Sequence, residues 1–420
     1  MFFKDIPETG IFARLKKAVS LDTVTVGYTR EMIYDAAADM ILEAEKHSIR
    51  GDLWEIFYAL AVAEDDNHIC RAFERTSTPD AVLRIISSEV WTHHKLISAV
   101  KHIVESEGTY ADLRALSNYV PSGEGGALPA KEAYEDVTRL AQSIASAVSP
   151  EDMAPHLRDF FTARGSGRFA VDYAFRWNQR LRDLVPIRDI DPITFDSLIG
   201  YEPQKSELLA NTESFISGRP SNNVLLFGDS GTGKSSSVRA LLNEPGFVRG
   251  RLRMIEAQQG QFADIPDILD MIRGSGYRFI LFMDDLSFEE FEVEYKHLKA
   301  IIEGGLERKP DNVVIYATSN RRNIIREVWS DRASSVDDVH GWDTMQEKHS
   351  LSDRFGLTIW YPSVGKDEYM SIVRSIAREF GLVIKDSEME TSALRWELER
   401  GGFTGRTARQ FVYHMLQQES

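Results

Sequence analysis

Apolar positions in the first part of the chain recur at helical spacing. In REMIYDAAADMILEAEKH (30–47), Met32, Ile33, Ala36, Met40, Ile41 and Ala44 fall on one helical face. WEIFYALAVAEDDNHICRAFER (54–75) and EVWTHHKLISAVKHIVES (89–106) continue the pattern. The Gly/Pro/Ser-rich VPSGEGGALPA (120–130) interrupts it, and KEAYEDVTRLAQSIASAV resumes it. Prolines in PIRDIDPITF (186–195) disfavour helix in the residues before them, which predicts a domain boundary there. Beyond it the texture changes. NVLLF, LRMIEA, RFILFM, NVVIYATS and LTIWYP are short, near-continuous apolar runs separated by helical stretches such as EYKHLKAIIEGGLE. That alternation predicts a parallel sheet covered on both faces. From Lys366 onward the pattern is purely helical again. The expected organisation is an all-α segment over 1–185, an α/β core over 186–362 and C-terminal helices over 363–420.

Composition narrows the class. The 420 residues carry a formal charge of -16, which argues against a broad electrostatic grip on nucleic acid or an anionic membrane and favours a protein partner. The one cysteine, Cys70, cannot form an internal disulfide, in keeping with a reducing compartment. With neither a secretory signal pattern nor an apolar run of membrane length, the expected location is the cytoplasm. His68, Cys70, His93 and His94 lack a recognised ligand spacing and are not expected to bind metal. Trp54, Trp91 and Trp177 are expected on core-facing helix positions.

Chemistry concentrates after NVLLF. Gly228, Asp229, Ser230, Gly231, Thr232, Gly233, Lys234 and Ser235 match G-x-x-x-x-G-K-[ST] in full, with Ser236 following. Glycines let backbone N–H groups converge on a phosphate, the next helix adds its positive end, the lysine reaches the outer phosphates and the serine suits Mg²⁺. The preceding strand and following helix are the context this loop requires. A second apolar run, ILFM, ends in Asp284 and Asp285, at the strand edge where ligands sit in open α/β sheets. Asp284 is the candidate for the Mg²⁺ hydration shell and Asp285 for orienting an attacking water.

The order of these signals resembles an AAA+ ATPase module. LIGY (198–201) lies upstream, while ATSN (317–320), LSDRFG (351–356) and GFTGRTAR (402–409) follow. More narrowly, MDDLSFEE, YATSNRRN, LSDRFGL and TGRTARQF are similar to a bacterial group of AAA+ proteins known as domain of unknown function eight-fifteen. The resemblance covers the C-terminal 55–60% of the chain, roughly, judged by where those motifs begin. It implies an αβα core with a five-stranded parallel sheet and a helical lid, binding ATP with Mg²⁺. It also implies an ATPase that assembles as a homo-oligomeric ring or filament, a hexamer among the forms considered. Ile199, Gly200 and Tyr201 resemble the segment beside adenine, and Asn320 the first sensor. Arg354 resembles the finger inserted into a neighbour's site, and Arg406 the second sensor, with Arg409 on the same helical face as an alternative.

Two departures stand out. Asp285 replaces the glutamate usual in the superfamily, which bears on water geometry and turnover rather than on ATP binding. Gln258-Gln-Gly-Gln-Phe262 is a poor match to the aromatic loop of polypeptide-threading members, Phe262 being its one aromatic. The leading expectation is ATP hydrolysis at a subunit interface that remodels or loads a macromolecule chosen by the N-terminal helices. A nucleotide-gated binding module with slow or no hydrolysis is the alternative, and a DNA-loading role a second one. The 330–343 stretch is expected to be solvated surface or a segment that orders on assembly.

Overall fold

The structure, a computed structural model, describes residues 10–20, 26–65, 80–123, 128–244, 246–248, 251–258, 260–286, 309–320 and 355–419. The chain forms two compact units. One comprises residues 1–174, 186–190 and 275–277, the other 175–185, 191–274 and 278–420.

The first unit is helical: α1 (Gly10–Ser20), α2 (Val26–His47), α3 (Leu53–Glu64), α4 (Asp80–Ser106), α5 (Leu128–Ser146), α6 (Pro150–Arg164) and the short α7 (Arg168–Val171). Helix α3, LWEIFYALAVAE, is apolar almost all round and therefore packs as the centre of the unit, in contact with α2, α4, α5 and α7. Asp52 caps it by accepting the Glu55 N–H. Helix α4 buries Leu83, Ile86, Val90, Ile97, Val100 and Val104 along one stripe and packs on α6. Ser149 caps α6, and Pro150 occupies its first turn, where a missing N–H costs nothing.

The second unit is built on a seven-stranded sheet in the order β2-β1-β4-β5-β6-β3-β7. The strands are β1 (Ala174–Asn178), β2 (Asp183–Pro186), β3 (Val224–Gly228), β4 (Leu252–Glu256), β5 (Arg278–Met283), β6 (Val313–Ser319) and β7 (Leu357–Tyr361). All four pairings from β4 through β5, β6 and β3 to β7 are parallel. Every residue of β6 is buried, as a central strand covered on both faces requires. Three of the flanking helices are α8 (Glu202–Ile216), α9 (Lys234–Ala240) and α10 (Ile265–Ile272). Then come α11 (Lys366–Glu379), α12 (Asp386–Arg400) and α13 (Gly405–Glu419), which share a core of Tyr369, Val373, Met389, Ala393, Phe411 and Val412.

The sheet thus has two strands more than the five expected. AFRWN and DLVP are only 5 and 4 residues long; the exposed Arg176 interrupts the first, and the second opens on Asp183 and ends on Pro186, so neither reads as a buried strand. Trp177 accordingly stands on β1 rather than on a helix, with its indole N–H donated to Asp264 at 3.1 Å. Phe262 is 4% exposed, so it packs inward and does not present an aromatic loop tip. No described helix is long and apolar enough to cross a membrane.

Candidate functional site

Strand β3, buried except at the half-buried Phe227, runs to Gly228, and α9 starts at Lys234, so the loop between them emerges at the C-terminal edge of the sheet. Gly228 has φ 146°, and a Cβ there would lie 2.0 Å from the Tyr361 carbonyl oxygen on the adjacent β7. Only glycine lets the two strands approach this closely at the root of the loop. Gly233, in the left-handed region, opens α9.

Lys234 is buried and donates to the carbonyl oxygens of Gly228 at 2.9 Å and Asp229 at 2.7 Å, and to Asn320 Oδ1 at 3.1 Å. Burial lowers its pKa from the ordinary lysine value, with the Arg406 charge acting in the same direction and Asp229, Asp285 and Asp284 opposing it. Asn320, just beyond β6, turns its amide to the Asp285 carboxylate. Ser235 donates to Asp284 Oδ1. Thr318 donates to that same oxygen at 2.6 Å and accepts the Asp285 N–H at 2.9 Å. One threonine thereby ties the two acids at the end of β5 to β6. Asp285 itself is left-handed, with φ 56°.

These groups face a cavity of about 470 Å³. Its polar end is formed by Ser230 to Ser237, Asp284, Asp285, Thr318 and Asn320. Its apolar end is formed by Ile193, Leu198, Ile199 and Tyr201, with Val364, Ile372 and Ile376 from around α11. Tyr201 is fixed there by donating its hydroxyl to the Pro362 carbonyl at 2.9 Å and by packing on Tyr361. Gly200 lies beside Glu368 rather than on the cavity wall. Arg406 and Arg409 both line the cavity from α13. The Gly405 N–H donates to the Gly231 carbonyl at 3.2 Å, so the start of α13 is bonded directly to the loop.

Gly228 and Asp229 underlie the cavity and hold Lys234, while the other candidates named from the sequence line it, except Gly200 and Arg354. Arg354 and the 330–343 stretch lie outside the described residues, as do His68 and Cys70. Sequence reasoning passed over Thr318, Arg239 and Ser363, although Thr318 sits inside the ATSN segment it singled out. Arg239 pairs with Asp284, and Ser363 donates to the Asp229 carboxylate. Ser235 and Asp284 offer hard oxygen donors side by side, a set that fits Mg²⁺.

An α/β sheet in this strand order, with a glycine-rich G-x-x-x-x-G-K-[ST] loop after β3 and paired acids after β5, has the arrangement that the resemblance to AAA+ modules leads one to expect. Residues 170–419 match the family described as "Protein of unknown function (DUF815)", and the chain belongs to that family. Among solved structures it is similar to the Thermotoga maritima RuvB Holliday junction branch migration motor. That match has 20% identity and a TM-score of 0.36, over 53% of this chain and 64% of that one. A single-residue variant of the same Thermotoga maritima motor matches at 17% identity and a TM-score of 0.33, over 54% of this chain and 72% of the variant's. In the first match the chain spans less than two thirds of the motor's length. No curated protein matches.

Proposed function

We propose that the protein binds ATP with Mg²⁺ in this cavity and hydrolyses it to ADP and phosphate. The observation that carries this reading is the convergence of Lys234, Ser235, Asp284, Asp285 and Asn320 on one cavity with an apolar far end. Backbone N–H groups of the loop and the Lys234 ammonium hold the phosphates, and the apolar end takes the base. Ser235 and Asp284 would hold Mg²⁺, which would supply charge neutralisation at the phosphate oxygens. Asp285 accepts the proton of the attacking water, which Asn320 helps to place, as the γ-phosphoryl bond to ADP breaks. Arg406 and Arg409 meet the phosphate charge from the helical side. Arg354 of a neighbouring copy completes the site, so the working form is a homo-oligomer. Turnover there serves to remodel or load a macromolecular partner chosen by the helical N-terminal unit.

One observation favours the slower alternative, a nucleotide-gated binding module: the short Asp285 carboxylate is engaged by the Asn320 amide. Steady-state phosphate release separates the two. The expected result is that Asp285→Asn loses about 10²-fold or more in turnover while retaining ATP binding, as removal of a general base does. Lys234→Ala is expected to lose binding itself. A wild-type chain that binds ATP and releases no phosphate at any protein concentration would sink the hydrolase reading.

A further inference from the structure

Arg239 lies four residues after Ser235 on α9, so the two side chains share one helical face. Both reach Asp284. Ser235 occupies Oδ1, together with Thr318, while the Arg239 guanidinium lies 3.1 Å from Oδ2. The same guanidinium nitrogen is 3.8 Å from Glu256 Oε1, at the C-terminal end of β4, and the group lies over the Phe282 ring with 6.0 Å to its centroid. Asp284 is therefore held at both oxygens, by hydroxyls on the side of the phosphate loop and by a planar cation on the other.

We propose that Arg239 is a positioning residue for the metal-binding carboxylate. By engaging Oδ2 it fixes the carboxylate plane so that Oδ1 stays on Ser235 and faces the cavity. Its contact with Glu256 anchors it to the C-terminal end of β4. The planar fork suits this task, since an ammonium supplies charge without fixing a plane. Phe282 narrows the directions the guanidinium can take. The inference rests on the ATP·Mg²⁺ reading above and adds the residue that sets the metal requirement.

The test uses the full chain and a fluorescent ATP analogue, titrated in EDTA and across a Mg²⁺ series. For Arg239→Gln the Mg²⁺ concentration giving half-maximal tightening is expected to rise about tenfold, as for loss of a group orienting a metal ligand. Affinity in EDTA is expected to stay within about twofold, because Arg239, although it lines the cavity, is engaged by Asp284 and Glu256. Arg239→Lys recovers part of the loss, and Glu256→Gln shifts the requirement in the same direction by less; thermal melts of all three confirm folding. Wild-type binding that Mg²⁺ tightens, together with an unchanged or lower requirement in Arg239→Gln, overturns the inference and leaves the nucleotide reading standing. Absence of any wild-type binding overturns both.

Discussion

Two clusters of ionic side chains, one in each unit, are bonded in much the same way but stand in different settings. In the helical unit, Glu55 is 6% exposed and uses both oxygens, one toward His94 Nε2 at 2.7 Å and the other toward Lys101 Nζ at 2.9 Å. Lys101 also donates to Asp52 at 2.7 Å, and Asp52 caps the helix that carries Glu55. The network closes on itself. In the α/β unit, Asp284 is equally well bonded by Ser235, Thr318 and Arg239, yet it stands on the wall of a cavity of about 470 Å³. Buried, paired charge is therefore no mark of function by itself. What separates the two is a neighbouring space and donors aimed into it.

Breaking the closed cluster should cost stability and nothing else. Glu55→Gln removes the carboxylate shared by His94 and Lys101 and leaves Lys101 paired with Asp52 alone, and the expected destabilisation is about 2 kcal/mol, read from thermal or urea unfolding. ATP affinity should be unchanged; a parallel loss of affinity would dissolve the distinction drawn between the clusters. The same variant tests a pH effect. Burial pushes the Glu55 carboxyl up, but His94 and Lys101 pull it down by more, leaving it below the ordinary value of 4.5. A depressed carboxylate contributes stability that is present above the unfolded value and lost as pH falls through the folded one. Wild-type stability should thus decline on acidification below the ordinary glutamate range, and Glu55→Gln should lack that part of the decline.

Thr318→Val tests the open cluster. It removes the hydroxyl shared by Asp284 and the Asp285 N–H, and about a tenfold drop in phosphate release is expected, the equivalent of one buried hydrogen bond. Nucleotide affinity should hardly move, and a Thr318→Ser chain should recover most of the rate. The smallest effect belongs to the closed side again. Tyr58 donates to the Val90 carbonyl at 2.6 Å, and Tyr58→Phe should cost about 1 kcal/mol in unfolding without altering turnover. A measurable change in phosphate release there would break the comparison between the two clusters.

How far each part was legible in the sequence follows from how local its cause is. The phosphate loop and the Asp284-Asp285 strand end are written in contiguous residues, and their chemistry depends on neighbours a few positions away. Thr318 and Arg239 matter only because β6 lies beside β5 and α9 turns a particular face toward it, relations that depend on strand order and helix register. The Glu55, His94 and Lys101 cluster brings residues together from two helices, and α4 reads on its own as a core-facing helix with a polar side. The β1–β2 pair was hidden for a different reason. The exposed Arg176 breaks the apolar run of β1, β2 is only 4 residues long, and Gln179, tied to Asp264 at 2.9 Å, lies in the polar stretch between them, so neither shows the run that identifies a central strand.

Asp285 combines a side chain one methylene shorter than glutamate with a left-handed backbone, φ 56°. Aspartate and asparagine tolerate that region better than longer side chains do, because a short polar group can bond locally. The identity of the acid and the twist of the chain beneath it are therefore a matched pair. Lengthening the acid to Asp285→Glu changes two variables together: it extends the carboxylate's reach and also sets a less tolerant residue on the same turn. Changing the length of this acid therefore requires redesigning the corner along with it.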